Sequence, residues 1–293
     1  MKIIFTVFCL ITLIVSCAFS AEPWHLSIDA SLIANQNGYS DNWSGGETGS
    51  MNWVFNSNML AKKALSKKVK VRNTLKLSFG QTHNQDSDTK NWDKAEKSTD
   101  LIDFESLFLL TLGSFVDPYL AGRLESQFLD ASDPAKNRMI NPLRLTESVG
   151  AARMLIEEEK RELTVRAGFA FRQFISRDVL DPVTNTRDTE TSTDGGLEVV
   201  TELVTPLAKE RINFNSKLTI FQALFYSESS DLEGTPTGDY WKEVDLNWEN
   251  IFSADITKYL MVNLYTQLLY DKEISLGGRF KQTLGLGLTY KFI

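Results

Sequence analysis

From Trp24 onward the chain alternates. Trp24, Leu26, Ile28, Ala30 and Leu32 interleave with His25, Ser27, Asp29 and Ser31, a period of two that predicts a strand with one apolar and one polar face. The same pattern sets Val69, Val71, Leu75, Leu77 and Phe79 against Lys70, Arg72, Thr74, Lys76 and Ser78. It sets Leu163, Val165, Ala167, Phe169 and Phe171 against Thr164, Arg166, Gly168, Ala170 and Arg172. Val244, Leu246 and Trp248 alternate with Glu243, Asp245, Asn247 and Glu249, and Leu284, Leu286, Leu288, Tyr290 and Phe292 with Thr283, Gly285, Gly287, Thr289 and Lys291. A helix would instead group its apolar residues three and four apart.

The spacers between these segments alternate in length. Short ones are expected near 62–68, 113–117, 157–161, 206–211 and 253–258. Long polar ones are expected near 35–50, 81–98, 130–142, 177–191, 226–239 and 271–278. Short turns at one rim and long loops at the other are the signature of an outer-membrane barrel. The expected fold is therefore all-β, a single antiparallel transmembrane up-and-down β-barrel of about twelve strands. An even count places both ends of the barrel at the short-turn rim. A soluble β-sandwich would also alternate, but it explains neither the spacer lengths nor the aromatic residues towards the strand ends. These are Trp53, Phe55, Phe79, Phe128, Phe171, Trp248, Phe252, Tyr259, Tyr270, Phe280, Tyr290 and Phe292. Such rings favour a membrane–water interface, although aromatics are also good strand formers in general.

The N-terminus adds an address. Lys2, the apolar run 3–15 and the small-residue region 16–21 read as a secretory signal peptide of residues 1–20, cleaved after Ser20, with the barrel occupying 21–293. A second reading stays open, because Ile14-Val15-Ser16-Cys17 resembles a lipobox in which Cys17 would be lipidated. Cys9 and Cys17 are the only cysteines, so cleavage after Ser20 leaves a mature chain without disulfide or thiolate chemistry. The net charge of −7 argues against a nucleic-acid partner. Apolar residues make up 42% and charged residues 24%, and outside the leader no apolar run approaches the roughly 20 residues of a spanning helix. A barrel strand escapes that test because its lipid-facing and lumen-facing residues alternate.

The chain ends in an alternating segment closed by Tyr290 and Phe292, the form of strand that the barrel-assembly machinery reads. Ile293 after the phenylalanine departs from the commonest pattern. Four stretches carry a family resemblance: Asn42-Trp43-Ser44-Gly45-Gly46, the strand Asn73 to Gly80, the segment Thr99 to Ser106, and Glu125-Ser126-Gln127-Phe128. Together they resemble a family of uncharacterised outer-membrane β-barrel proteins whose members carry an Asn-Trp loop with paired glycines, a Trp-x-Asn strand start and a Thr-Gln-Phe strand end. Here Val71 stands for that Trp and Ser126 for that Thr. The resemblance covers roughly residues 26–130 and implies location and fold, with no activity or catalytic residue.

Candidate sites rest on their own chemistry. His25, on the first strand, and His83, expected in a loop, are the only histidines, too few for a zinc site. Only His25-Leu26-Ser27 has the His-x-Ser spacing of outer-membrane phospholipases, and it falls on the polar rather than the lipid-facing side of its strand, so enzyme activity and cofactors are not expected. The acidic groups Asp103/Glu105 and Glu243/Asp245/Glu249 could serve as acid and base in carbohydrate chemistry. They equally fit a polar lumen in which unpaired charge is costly and partners are close. The candidate lumen-lining residues are Lys70, Arg72, Lys76, Asp103, Glu105, Arg123, Glu125, Arg166, Arg172, Glu198, Glu202, Lys217, Glu243, Asp245 and Glu249. Loop acids, namely Asp86, Asp88, Asp178, Asp181, Asp231, Glu233 and Asp239, carry oxygen ligands suited to calcium or magnesium without a defined calcium-loop spacing. The expected partners are outer-membrane lipid, lipopolysaccharide and the barrel-assembly machinery. Two functions follow as expectations: a pore or transporter for small solutes, or a non-conducting structural or interaction barrel plugged by its own charges.

Overall fold

The computed structural model describes residues 23–40, 47–133, 135–158, 160–181, 183–257 and 259–291 of the 293-residue chain. The leader with Cys9 and Cys17, the loop at 42–46 and Phe292 lie outside the described residues, as does the side chain of Tyr290.

Alternation turns into ladder throughout. The strands are β1 (His25–Asn37), β2 (Ser50–Ala64), β3 (Val69–Asn84), β4 (Glu96–Leu110) and β5 (Asp117–Ser126), followed by a small ribbon of β6 (Leu129–Asp130) and β7 (Arg138–Met139). After it come β8 (Leu143–Glu157), β9 (Glu162–Leu180), β10 (Arg187–Leu207), β11 (Ile212–Tyr226), β12 (Val244–Asp255), β13 (Leu260–Tyr270) and β14 (Arg279–Lys291). All except β6 and β7 form one closed antiparallel barrel of twelve strands, each beside its sequence neighbour, with β14 returning to β1. Between the strands the described residues hold no α-helix, only one helical turn at Tyr240–Lys242.

The short turns are closed by local chemistry. The Ser66 hydroxyl accepts from the amides of Lys68 and Val69, Asp117 accepts from the Leu112 amide, and Thr257 accepts from Tyr259 and Leu260. Such side-chain-to-backbone bonds satisfy amides that leave the ladder at a turn.

Apolar side chains face outwards. Val149 is 56% exposed, Leu197 55%, Leu284 65% and Leu288 63%, while the inner faces of the same strands carry charge. Aromatic residues gather near both rims. Trp53, Phe79 and Phe128 are in contact near the loop rim, with centroids 6.0 and 6.1 Å apart, and Phe225 there touches Phe169 and Phe171. Phe214 and Phe252 stack at 4.5 Å near the turn rim. Phe128 itself lies beyond the end of β5, and Tyr259 lies in the β12–β13 turn. Gly285 shows why small residues occupy the inner face of β14: a Cβ there would meet Ile33 Cγ2 at 2.2 Å.

Two expectations are corrected. The span 177–191 carries a tall hairpin rather than a long loop, since β9 and β10 stay paired, through one register shift between Asp188 and Glu190, up to Leu180 opposite Arg187. Above the rim both faces meet water, so the ladder continues after its apolar alternation has stopped. For the same reason His83 sits on β3 opposite Met51, not in a loop. The β6–β7 ribbon straps onto this hairpin. Asn141, 1% exposed, donates to Asp130 at 2.7 Å and accepts from the Arg177 amide at 2.8 Å. Arg187 pairs with Asp133 at 2.7 Å, and Lys136 pairs with Asp178.

Candidate functional site

The inner positions of β3, β4, β9, β10 and β11 converge in the turn-side half of the wall. Arg72 on β3 pairs with Glu202 on β10, and its guanidinium lies 3.9 Å from Glu105 on β4. Arg166 on β9, 2% exposed, reaches Glu105 at 3.1 Å and Glu202 at 3.4 Å. Lys217 on β11 contacts the same two carboxylates at 3.1 and 3.4 Å. In the strand order β3 and β10 stand five positions apart, so their pair runs across the interior. Lys76 on β3 likewise crosses to Glu249 on β12 at 2.9 Å.

The layer is bounded on both sides. Arg123 makes a bidentate pair with Asp103, at 2.8 and 2.9 Å, and touches Glu125 at 3.1 Å. Higher up, Arg172 grips Asp194 with two bonds of 2.7 and 2.6 Å, adds Asp245 at 2.8 Å, and lies 3.6 Å from the Phe221 ring centroid. Such forked bonds fix both partners and are stronger than neutral hydrogen bonds. Nearer the turn rim Lys62 crosses from β2 to Glu162 on β9 at 3.0 Å.

Between the layer and the loops lies a cavity of about 320 Å³. Its walls include Arg123, Arg144, Arg172, Glu198, Thr219 and Arg279, and Asp271 and Ile274 of the β13–β14 loop form part of its mouth. Tyr270, expected in the interfacial ring, faces this vestibule instead. In the β13–β14 loop, reduced hydration, and then the carboxylates of Asp271, Asp245 and Asp194, push the Glu273 carboxyl up to about 7, against the pull of Arg172.

The candidate residues divide by height. Arg72, Lys76, Asp103, Glu105, Arg123, Glu125, Arg166, Arg172, Glu202, Lys217, Asp245 and Glu249 enter the ion-pair system just described. Glu198 lines the vestibule, and no ion pair to it is found among the described residues. Lys70 lies at the turn rim, 3.5 Å from Glu157, with both side chains more than half exposed. Glu243 falls outside β12, on the outer rim, where it holds Lys272 at 2.7 Å. Sequence reading overlooked Asp194, Arg144, Lys62 and Glu162. Stepping back in twos from Glu198 reaches Asp194, and Arg144 shares parity with Thr146 and Ser148.

Four of the loop acids have local partners. Asp86 accepts from the Thr89 amide and hydroxyl, which lower its pKa, and Asp181 is lowered in the same way by Thr184 and Val183. Asp178 is lowered by Lys136, and Asp239 by Lys242. Among the described residues no group of three or more acids, histidines or cysteines could hold a metal ion.

Residues 34–131, about a third of the chain, match the family described as "Protein of unknown function (DUF3078)". No curated protein matches. Similar solved structures include an outer-membrane channel from Pseudomonas putida F1, with 12% identity and TM-score 0.44, covering 94% of this chain and 98% of that one. The translocator domain of the autotransporter NalP from Neisseria meningitidis gives 9% identity and TM-score 0.35, covering 99% and 96%. The β domain of the Bordetella autotransporter Brka gives 11% and 0.35, covering 92% and 99%. Likenesses at this level carry no conclusion about what the barrel does.

Proposed function

We propose that this protein is an outer-membrane β-barrel that works as a gated pore for small polar solutes, closed at rest by its own ion-pair layer. The membrane reading is supported by an inside-out distribution: exposed leucine and valine outside, buried arginine and glutamate inside. Water would disfavour that outer face and hydrocarbon favours it. The observation that carries the gate is the set of cross-barrel pairs among Arg72, Glu105, Arg166, Glu202 and Lys217, directly beneath a polar vestibule. Solute would enter from the loop side and pass only when this layer rearranges. Lipid, lipopolysaccharide and the assembly machinery are the partners this placement calls for, and the reading assigns no catalytic role.

Swelling of protein-loaded vesicles in a small sugar tests the proposal. Wild-type vesicles should swell slowly, and Glu202→Ala vesicles fast. If both stay impermeable while the protein is folded, the pore reading fails. The second reading, a charge-plugged interaction barrel, then stands, and it is favoured by the completeness of the layer, where Glu105 and Glu202 each meet three cations.

A further inference from the structure

The barrel closes unevenly at one seam. Among the described residues β1 and β14 pair only from Asp29 opposite Lys291 to Ile33 opposite Gly287. On its other side β14 is paired from Leu288 to Arg279, and β1 is paired with β2 along its whole length. Among the described residues, 34–37 of β1 and 279–286 of β14 therefore have no ladder partner across the seam. All four residues of that β1 segment are exposed on both faces, where a zipped strand would hide one. The unpaired stretch lies on the loop-side part of the wall, at the level of the outward Leu284 and Leu286.

Unsatisfied backbone groups in hydrocarbon cost several kcal/mol each, and such backbone persists at membrane depth only where it lines a wet cavity. A wet cavity is at hand, because Arg279 of β14 lines the vestibule. The inner face of this stretch offers Arg279, Lys281 and Thr283, and the outer face offers Phe280, Leu284 and Leu286. The Nε of Arg279 is buried without a hydrogen-bond partner among the described residues, and Lys281 donates to the Thr99 hydroxyl at 2.8 Å with its ammonium 6.0 Å from the Tyr265 ring centroid. Neither cation has a carboxylate oxygen within 4.0 Å among the described residues. Arg144, across the vestibule, is held loosely by Glu125 at 4.0 Å.

We infer that the loop-side half of the β1–β14 seam is a lateral port for an anionic lipid of the surrounding leaflet. Its head group would rest on Arg279 and Lys281 in the vestibule while its chains stay between the seam and the bilayer. The inference rests on the membrane placement proposed above but not on axial conduction, since the ion-pair layer closes the axial path below the port.

The test uses the full chain in vesicles of phosphatidylethanolamine and phosphatidylglycerol, with a photoreactive benzoyl-phenylalanine placed at one position at a time. Asn35 and Thr283 should crosslink to lipid, as should Leu284 on the outer wall, and Lys62 inside the barrel below the layer should not. Cysteines replacing Ala34 and Leu286, which would face each other if the register continued past Ile33 and Gly287, should form a disulfide that abolishes labelling at Thr283 and leaves Leu284 unchanged. Labelling at Leu284 without labelling at Asn35 or Thr283 would overturn the port while keeping the membrane reading. Loss of labelling at all three would overturn the membrane reading instead. Crosslinks from Asn35 to a second copy of the chain, giving a dimer-sized band, would replace the lipid with a protein strand and also overturn the port.

Discussion

Replacing Arg172 by methionine should destabilise the barrel more than the same change at Arg166, although Arg166 is the more buried. Arg172 is the sole cation within 4.0 Å of Asp194 and of Asp245 among the described residues. Asp194 is only 3% exposed. Removing the guanidinium strands an interior carboxylate, and breaking a buried pair from one side costs about 3–5 kcal/mol. Arg166 is backed up. Without it Glu105 keeps Lys217 at 3.1 Å and Arg72 at 3.9 Å, and Glu202 keeps Arg72 and Lys217. Its loss then amounts to charged hydrogen bonds from a network that can close up, about 1.5–3 kcal/mol. Urea unfolding in lipid vesicles, followed by tryptophan fluorescence, measures both. The double change Arg172→Met with Asp194→Asn should recover much of the single loss, because the stranded charge goes with its partner. Equal losses for the two arginines, or a larger loss at Arg166, would refute the reasoning that redundancy rather than burial sets the cost.

Leu286→Arg places a cation on the lipid face and should cost about 2–4 kcal/mol near the midplane, impairing assembly as read from heat-modifiable gel migration, whereas Thr283→Lys on the inner face should assemble nearly normally. Glu273 has a raised carboxyl pKa, about 7, so its charge opposes the folded β13–β14 loop above pH 7 and the opposition fades as pH falls towards 4.5. Amide exchange of residues 271–278 should slow between pH 8 and 5 after correction for intrinsic rates, and Glu273→Gln should remove that dependence. The β10–β11 turn holds Ala208, Lys209 and Glu210 at φ of 51°, 59° and 66°. Lys209→Gly should therefore stabilise by about 1 kcal/mol in the same unfolding assay, and a loss of stability would contradict the left-handed turn.

The strands were legible because a wall with an apolar outer face and a polar interior imposes period two along each strand. Val199, outward and 40% exposed, and Val200, inward and 3% exposed, show the limit of the rule, since an apolar residue can also fill a small space between interior charges. The pairing of those charges was not legible. Arg72 and Glu202 lie 130 residues apart, and their meeting depends on barrel closure and shear, which no local pattern encodes. The hairpin above the rim was missed because water on both faces erases alternation while the ladder persists. The short β1–β14 register was hidden for a different reason: the side chains of β14 alternate regularly, and only pairing across the closure reveals that its loop-side half has no partner on the β1 side.

The central claim is that five side chains close the barrel axially, and single-channel recording in a planar bilayer tests it most directly. Wild-type protein should be silent or only briefly conducting. A Glu105→Ala/Glu202→Ala variant, confirmed as folded by gel migration, should give discrete, anion-selective openings, because Arg72, Arg166 and Lys217 remain without their carboxylates. A large, steady wild-type conductance, or a folded double variant as silent as the wild type, would contradict the claim.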